Sequence, residues 1–107
     1  MKISELVKRL DLEILTNPDF GDREITGCYI GDLLSWVMGR AAAGDAWITI
    51  MNNINIVAVA ALTDCACIIL AEGVSAESEI IKKADMQGIV ILKSAETAYD
   101  LAKNIGV

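Results

Sequence analysis

The feature that most constrains this chain is an alternation of short apolar runs, rich in β-branched residues, with segments of helical character. Three runs have the length and composition of buried strands, at residues 46–51, 67–70 and 89–92. Helical segments lie between and after them, at residues 54–62, 76–87 and 95–105. Such alternation predicts βαβ units, and unbroken apolar runs are typical of strands that are covered on both faces. We expect an α/β fold, a mainly parallel sheet with helices on both faces.

The first third of the chain predicts shorter elements. An amphipathic helix is indicated over Ile3–Leu10, where apolar residues recur at helical spacing. A short strand over 13–16, a turn cluster over 17–21, an extended segment over 25–30 and a helix over 33–42 follow. Typical capping and stop residues punctuate the helical segments, and we expect caps at Asp32, Ser75 and Ser94 and stops at Gly44, Gly88 and Gly106.

The segment 54–62 supports two interpretations. Its Val and Ile content favours a strand, but a parallel crossover between the flanking strands requires a helix there. We predict a helix, and because both of its sides are apolar we expect it to be buried all round. Its second side consists of Ile56, Val59 and Ala60, which are the predicted subunit-interface residues.

An apolar excess points to self-association. The 107 residues are 54% hydrophobic before glycine is counted, whereas soluble domains reach ~45–50% with glycine included. A small domain cannot hide so much apolar surface within itself, so we expect a homodimer or a higher homo-oligomer. A tightly packed monomer is the alternative.

Charge and cysteine content exclude several classes of partner and compartment. Fifteen acids against nine bases give a net charge of −6, and no base lies between Arg40 and Lys82. This is the opposite of a nucleic-acid-binding surface, and no apolar run reaches the ~18 residues of a membrane span. The first residues lack a secretory signal, and three cysteines do not form a disulfide framework. We expect a cytoplasmic protein that binds neither nucleic acid nor membrane.

Catalysis is not expected. The chain has no histidine, which removes the Ser-His-Asp and Cys-His systems, the commonest general base and the commonest metal ligand. The acids are scattered, mostly at helix starts and turns, where they favour the helix dipole. We predict a non-enzyme without catalytic residues and without a cofactor.

Cys28, Cys65 and Cys67 support two interpretations. If residues 65–67 are extended, Cys65 and Cys67 share a face and could join Cys28 in a three-thiolate site. Structural zinc, however, takes four ligands in spaced pairs, and free cysteine is often a small buried hydrophobe. We expect core cysteines and no metal.

Polar turns follow the predicted apolar strands. No glycine pattern matches a P-loop or a dinucleotide fingerprint. Ligands in open α/β sheets nevertheless bind at the carboxyl ends of the strands, where the amides of Asn52 and Asn53 could read a base or sugar edge. The alternative is that these asparagines only cap and turn the chain.

The segment 22–35 is the most informative part of the sequence. Asp22 and Arg23, at a loop-to-strand junction, can form an ion pair, and Thr26-Gly27 joins a hydroxyl to a residue without a Cβ. Because glycine has no Cβ, another part of the backbone or a small molecule can come close to it. The segment can therefore serve as a structural anchor or as a ligand site. Asp22, Arg23, Thr26 and Gly27 are therefore candidate ligand-binding residues, together with Asn52 and Asn53.

These residues resemble the DRTGG domain family. The signature is carried by Asp22, Arg23, Thr26 and Gly27, and the resemblance continues over nearly the whole chain, through residues 31–35, 44–50, 55–60 and 68–70. One departure is clear, because Cys28 stands where the signature ends in glycine.

The resemblance implies a fold like the amino-terminal domain of HPr kinase/phosphorylase, distantly similar to the nucleotide-contacting amino-terminal domain of Mur ligases. Members of this family usually occur as accessory modules of phosphate acetyltransferases and CBS-domain pyrophosphatases. The resemblance therefore implies a regulatory and oligomer-forming role. The expected protein is a single DRTGG-like domain over residues 1–107 that senses a small metabolite such as a nucleotide. The alternative is an obligate interaction subunit of a separately encoded enzyme or kinase, with no small ligand.

Overall fold

The predicted strands form one five-stranded sheet in the computed structural model, which describes residues 1–17, 19 and 21–106. The strands are β1 (Glu13–Ile14), β2 (Gly27–Ile30), β3 (Asp45–Thr49), β4 (Cys67–Leu70) and β5 (Ile91–Lys93). Their order is β1-β5-β4-β3-β2, and β2 to β5 run parallel while β1 pairs antiparallel with β5. The mainly parallel sheet is thus confirmed, and β2 forms one of its edges.

Helices cover both faces of the sheet, as predicted. They are α1 (Ile3–Leu10), α2 (Leu34–Arg40), α3 (Asn55–Thr63), α4 (Ser78–Gln87) and α5 (Ala98–Ile105). On one face α2, α3 and α4 pack around Trp47, Ile68 and Ile91 of the strands. On the other face α1 and α5 pack around Ile48 and Ile69. Every side chain of β3 and β4 is buried, because these strands have neighbours in the sheet and helices above and below.

The predicted helix stops at Gly88 and Gly106 are confirmed. Both residues cap a helix in the left-handed region, with φ of 70° and 71°, which glycine adopts without steric cost. Asp64 ends α3 in the same conformation with φ of 55°, which costs a residue that has a Cβ.

The predicted amino-terminal caps are wrong. Helices α4 and α5 start later than expected, with Glu77 and Thr97 as N-caps in place of Ser75 and Ser94. Asp32 does not cap α2, whose N-cap is Leu33. The Asp32 carboxylate instead accepts hydrogen bonds from Thr49 Oγ1 at 2.8 Å and Ile50 N at 2.9 Å. It binds the end of the neighbouring strand, a contact that local spacing does not reveal.

The segment 54–62 is helical, as predicted, but it is not buried all round. Ala58, Ala61 and Leu62 lie on an exposed side of α3. The predicted interface residues Ile56, Val59 and Ala60 are instead buried against the sheet and neighbouring helices of the same chain. They are core residues and are not available to a second copy of the folded chain.

Two residues of the predicted turn cluster, Pro18 and Phe20, lie outside the described residues. Next to them, the backbone N–H of Asn17 donates to Asp85 Oδ1 at 2.6 Å. Among the described residues, no helix has the length and apolar character that crossing a bilayer requires.

Candidate functional site

The signature segment, residues 22–28, runs along the edge of the sheet at which β2, β3 and β4 begin, called here the amino edge. Asp22 is left-handed, with φ of 50°. Its carboxylate accepts hydrogen bonds from Ser4 Oγ at 2.7 Å and Ser4 N at 2.8 Å. The N–H groups in the first turn of a helix have no partner within the helix, so Asp22 satisfies one of them in α1. These two bonds lower the pKa of Asp22 below its usual value.

Arg23 reaches across the amino edge to the end of α3. One guanidinium nitrogen donates to the carbonyl of Cys65 at 2.8 Å, and the other lies 3.1 Å from Asp64 Oδ1 and 3.3 Å from the Asp64 carbonyl. The carbonyls at a helix end lack partners within the helix and carry partial negative charge, which favours a cation there. Arg23 thus joins the start of β2 to the α3–β4 connection, more than forty positions along the chain.

Thr26 and Gly27 fit closely against residues that precede and begin β3. Thr26 N donates to the Gly44 carbonyl at 3.0 Å, and a Cβ on Gly44 would collide with Thr26 Oγ1. Gly27 pairs with Asp45 in the sheet, and a Cβ on Gly27 would collide with Asp45 Oδ1. The Asp45 carboxylate also accepts from Ala42 N at 2.8 Å, which explains how its charge is tolerated at a buried position.

The four signature residues therefore make their contacts within the chain. Asp22 binds α1, Arg23 binds the end of α3, and Thr26 with Gly27 fits against Gly44 and Asp45. This geometry is that of an anchor between the amino-terminal helix and three strands. An anionic ligand of Arg23 would have to compete with Asp64 and with two carbonyl oxygens.

The three cysteines do not form a thiolate site. Cys65 packs with the α2–α3–α4 layer and Cys67 with the α1–α5 layer, so the two do not share a face. The reason is that Cys65 precedes β4 and bonds to Thr63 Oγ1 at 3.0 Å. The predicted core position holds for Cys65 and Cys67, whereas Cys28 is exposed. Loss of hydration raises the pKa of Cys67 to about 12 and that of Cys28 to about 11, so both remain thiols at neutral pH. No group of three metal-ligating side chains occurs among the described residues.

Asn52 and Asn53 lie at the opposite edge of the sheet, where the parallel strands end, called here the carboxyl edge. Asn52 Nδ2 donates to the Ser75 carbonyl at 2.9 Å. Asn53 Oδ1 accepts from Asn55 N at 2.9 Å, at the start of α3. Asn53 Nδ2 also donates to Met51 Sδ at 3.5 Å. Both amides therefore act in turns, and both residues are exposed.

The carboxyl edge continues at β4 and β5. Glu72 and Gly73 are both left-handed, with φ of 56° and 76°, and form a tight turn closed by Val74 N donating to Ala71 O at 3.1 Å. Their N–H groups donate to the carbonyls of Glu96 and Ser94, each at 2.8 Å. The turn is thereby fastened to the β5–α5 connection, and these amides are already occupied where a phosphate would need them.

The six candidate ligand residues are not brought together. Asp22, Arg23, Thr26 and Gly27 lie at the amino edge, and Asn52 and Asn53 lie at the carboxyl edge. The intervening strand β3 has five residues and spans roughly 16 Å. One small ligand cannot contact both groups. The six residues therefore belong to two separate surfaces of the molecule.

Two surface clefts occur elsewhere, with volumes of about 150 Å³ and 190 Å³. The larger is lined by Arg9, Asp11, Glu96, Asp100 and Asn104, between α1 and α5. Both are small beside the ~300–1,000 Å³ of typical small-molecule sites, and neither contains a candidate residue.

Sequence reasoning missed the partners of the signature residues, which are Ser4, Gly44, Asp45 and Asp64. Gly44 and Asp45 belong to residues 44–50, which resemble the family, and this resemblance was the one signal in the sequence that could have identified them as partners. It also missed an exposed apolar surface around the end of β2, called here the edge patch, which consists of Ile30, Leu33, Trp36 and Ile50. Alternation alone could not show that these apolar residues remain uncovered.

Comparison with known proteins agrees with this architecture. The DRTGG domain family matches residues 5–106. No curated protein matches the chain in sequence. The chain is similar in structure to the CBS and DRTGG domains of the regulatory region of Clostridium perfringens pyrophosphatase, solved in complex with its activator, diadenosine tetraphosphate. The TM-score is 0.74 at 15% identity, and the match covers 96% of this chain but only 45% of that chain. This likeness shows the fold.

Proposed function

Because the chain belongs to the DRTGG domain family, we propose that it is a non-catalytic regulatory module that self-associates and senses a small metabolite, with a nucleotide as the leading class. The proposal treats residues 1–107 as a single DRTGG-like domain. Its setting is the cytoplasm, in keeping with three free cysteines.

The observation that carries the proposal is the likeness to a DRTGG domain in a regulatory region that binds a nucleotide activator. The likeness covers almost all of this chain but less than half of the other. A shared fold does not transfer a binding site, so the ligand has to be tested on this chain's own residues.

The two edges of the sheet offer different chemistry to a nucleotide. Asn52 and Asn53 present amides that can read the edge of a base or a sugar, at the edge where open α/β sheets bind ligands. Arg23, with Asp22, Thr26 and Gly27, offers a planar guanidinium that suits a phosphate. We place the base-reading role at the carboxyl edge, because Arg23 already has three acceptors within the chain.

Thermal melts test ligand sensing. A ligand at 100 times its Kd stabilises the native state by about 2.7 kcal/mol, which raises Tm by about 10 °C for a domain of this size. AMP, ATP and diadenosine tetraphosphate are suitable probes. Asn52→Ala is the variant expected to lose the shift, and Gln87→Ala, an exposed amide on α4 outside both clefts, is the control. If the shift is instead lost only in Arg23→Ala, the ligand binds at the amino edge.

The alternative is an obligate interaction subunit of a separately encoded enzyme or kinase, without a small ligand. The edge patch favours it, because a monomer that exposes several large apolar side chains together has a surface suited to a protein partner. Light scattering separates the two candidates. Self-association gives at least twice the 11.5 kDa monomer mass, whereas a monomer that no nucleotide stabilises would contradict the leading proposal.

A further inference from the structure

The outer side of β2 is an open sheet edge along Gly27–Ile30 only. Just before the strand, Lys2 forms an antiparallel bridge with Glu24, and Ile25 N donates to the Met1 carbonyl at 2.7 Å. β2 is the last strand in the order of the sheet, and among the described residues it pairs only with β3. Its sequence, Gly27-Cys28-Tyr29-Ile30, contains no charged residue and no proline. Proteins that must keep an edge strand unpaired usually place a lysine, a proline or a bulge there. This edge has none of these features.

Side chains on both faces of β2 are incompletely covered. Cys28 and Ile30 point to the α1–α5 face and are exposed, Ile30 by 50%. Tyr29 points to the α2 face and is partly buried. Beyond the strand, Leu33 is 60% exposed and Trp36 is 53% exposed, with the Arg40 guanidinium 3.7 Å from the centre of its ring. Exposed side chains thus flank the free backbone of β2 on both faces of the sheet.

The electrostatics of this surface permit a second copy of an acidic chain. Between Ile25 and Ala43 the only carboxylate is Asp32, which is already bonded to Thr49 and Ile50, and the only base is Arg40. The net charge of −6 therefore resides mostly on other surfaces. Two copies that meet at β2 bring together a segment whose two charges, Asp32 and Arg40, cancel.

The available area suits a small symmetric interface. A fully accessible aromatic side chain presents roughly 150–250 Å², so the half-exposed Trp36 offers on the order of 100 Å². Ile30, Leu33 and Ile50 are exposed to a similar degree. Ile30, Leu33 and Trp36, which lie on β2 or follow it directly, therefore supply about a third of the ~800 Å² that each partner buries in a standard interface, before Ile50, the backbone of β2 and Tyr29 are added.

We propose that two copies of the chain pair through antiparallel β2 strands about a two-fold axis at Tyr29, forming a continuous ten-stranded sheet. The proposal rests on the self-association proposed above and specifies its surface. An axis perpendicular to the sheet keeps the helix layers of both copies on matching faces. Successive side chains of a strand point to opposite faces, so an axis between two residues would turn the helix layers to opposite sides of the joint sheet. The axis must therefore pass through a residue of the strand, and the candidates are Cys28, Tyr29 and Ile30.

The axis at Tyr29 covers the exposed side chains best. It places Cys28 opposite Ile30 of the second copy twice, so that each exposed apolar side chain on that face covers another. An axis at Cys28 would place Ile30 opposite Thr26 and leave it at the rim. An axis at Ile30 would use only the end of the strand. The pairing Cys28 to Ile30 is thus the register that the structure favours.

Disulfide trapping tests this register. Opposite Cα atoms of antiparallel strands are ~4.5–5.5 Å apart, within the ~4.4–6.8 Å range of disulfides. The experiment mixes wild type with the double variant Cys28→Ser/Ile30→Cys under mild oxidation. Each chain then carries one cysteine at the edge, and the expected product is a heterodimer that a reductant separates. Wild type alone and double variant alone are the controls, and neither should cross-link.

The remaining outcomes overturn the inference in distinguishable ways. A wild-type disulfide dimer would place the axis at Cys28. A dimer by light scattering without trapped heterodimer, after oxidation long enough for a small disulfide reagent to label Cys28 in the wild type, would place the interface elsewhere and leave the proposed function standing. A monomer by light scattering would overturn this pairing and the self-association proposed above, while the thermal melts with nucleotides would still test ligand sensing separately. Ile30→Lys provides a second test, because it should dissociate the dimer, whereas Met86→Lys, at a more exposed position on α4, should leave the mass unchanged.

Discussion

Gly27 and Asp45 lie so close across β2 and β3 that a Cβ on Gly27 would come within 3.0 Å of Asp45 Oδ1. The glycine therefore leaves room for a neighbouring carboxylate, which a larger residue would displace, and its own backbone does not need glycine because its φ is not in the left-handed region. The contact explains in physical terms why a small residue stands at this position of the signature.

Gly27→Ala is expected to destabilise the chain. Overpacking costs roughly 1–3 kcal/mol, which lowers Tm by several degrees or more in a domain of this size. Gly39→Ala is the matched control, because that helical glycine has nothing within 4 Å and alanine favours helix. Thermal melts compare the two. If the double variant Gly27→Ala/Asp45→Ala is as unstable as the sum of the single variants, the steric explanation is wrong.

Arg23→Ala is expected to lower Tm by several degrees, equivalent to about 1–2 kcal/mol. The ion pair with Asp64 is exposed and contributes little, so most of the loss comes from leaving the Cys65 carbonyl without its donor. Lys82→Ala removes the same charge from an exposed position on α4 and should change Tm less. An unchanged melt of Arg23→Ala, together with loss of a nucleotide-dependent shift seen in wild type, would identify Arg23 as a ligand residue.

The contact between Asp22 and Ser4 predicts an acid dependence of stability. Hydrogen bonds from Ser4 hold the pKa of Asp22 below its usual 3.8 in the folded chain. A carboxyl with a lower pKa in the folded state stabilises that state above its ordinary pKa, and the contribution is lost as pH falls through the lowered value. Asp22→Asn should therefore flatten the decline in unfolding free energy below pH 4. A decline as steep as that of wild type, measured by denaturant titration, would contradict this.

The cysteines are expected to react slowly. A rise in the pKa of Cys28 from 9.0 to about 11 reduces its thiolate fraction about 100-fold, and the higher nucleophilicity of the more basic thiolate recovers about tenfold of this. Cys28 should thus react with a disulfide reagent at least tenfold more slowly than a free thiol at pH 8. Cys65 and Cys67, which are buried, should react only after denaturation. Rapid labelling of two or three thiols in the native chain would contradict the burial of Cys65 and Cys67.

Much of the architecture is determined by the sequence itself. The runs at Ile68–Leu70 and Ile91–Leu92 are apolar on both sides, which requires cover on both faces and so predicts central parallel strands. The stops at Gly88 and Gly106 follow from the backbone conformation that glycine adopts most readily. These features depend on a residue and its near neighbours, which a sequence shows directly.

Only the tertiary structure decided which polar residues meet and which apolar residues remain uncovered. Arg23 contacts Asp64 because strand order brings the start of β2 to the end of α3, and no local pattern encodes that distance. Ile56 and Ile30 are equally apolar in sequence, but Ile56 faces the sheet between two helices, whereas Ile30 lies on the edge strand beyond full helix cover. Burial depends on the position of an element among its neighbours, and this position is set by contacts between residues distant in the chain.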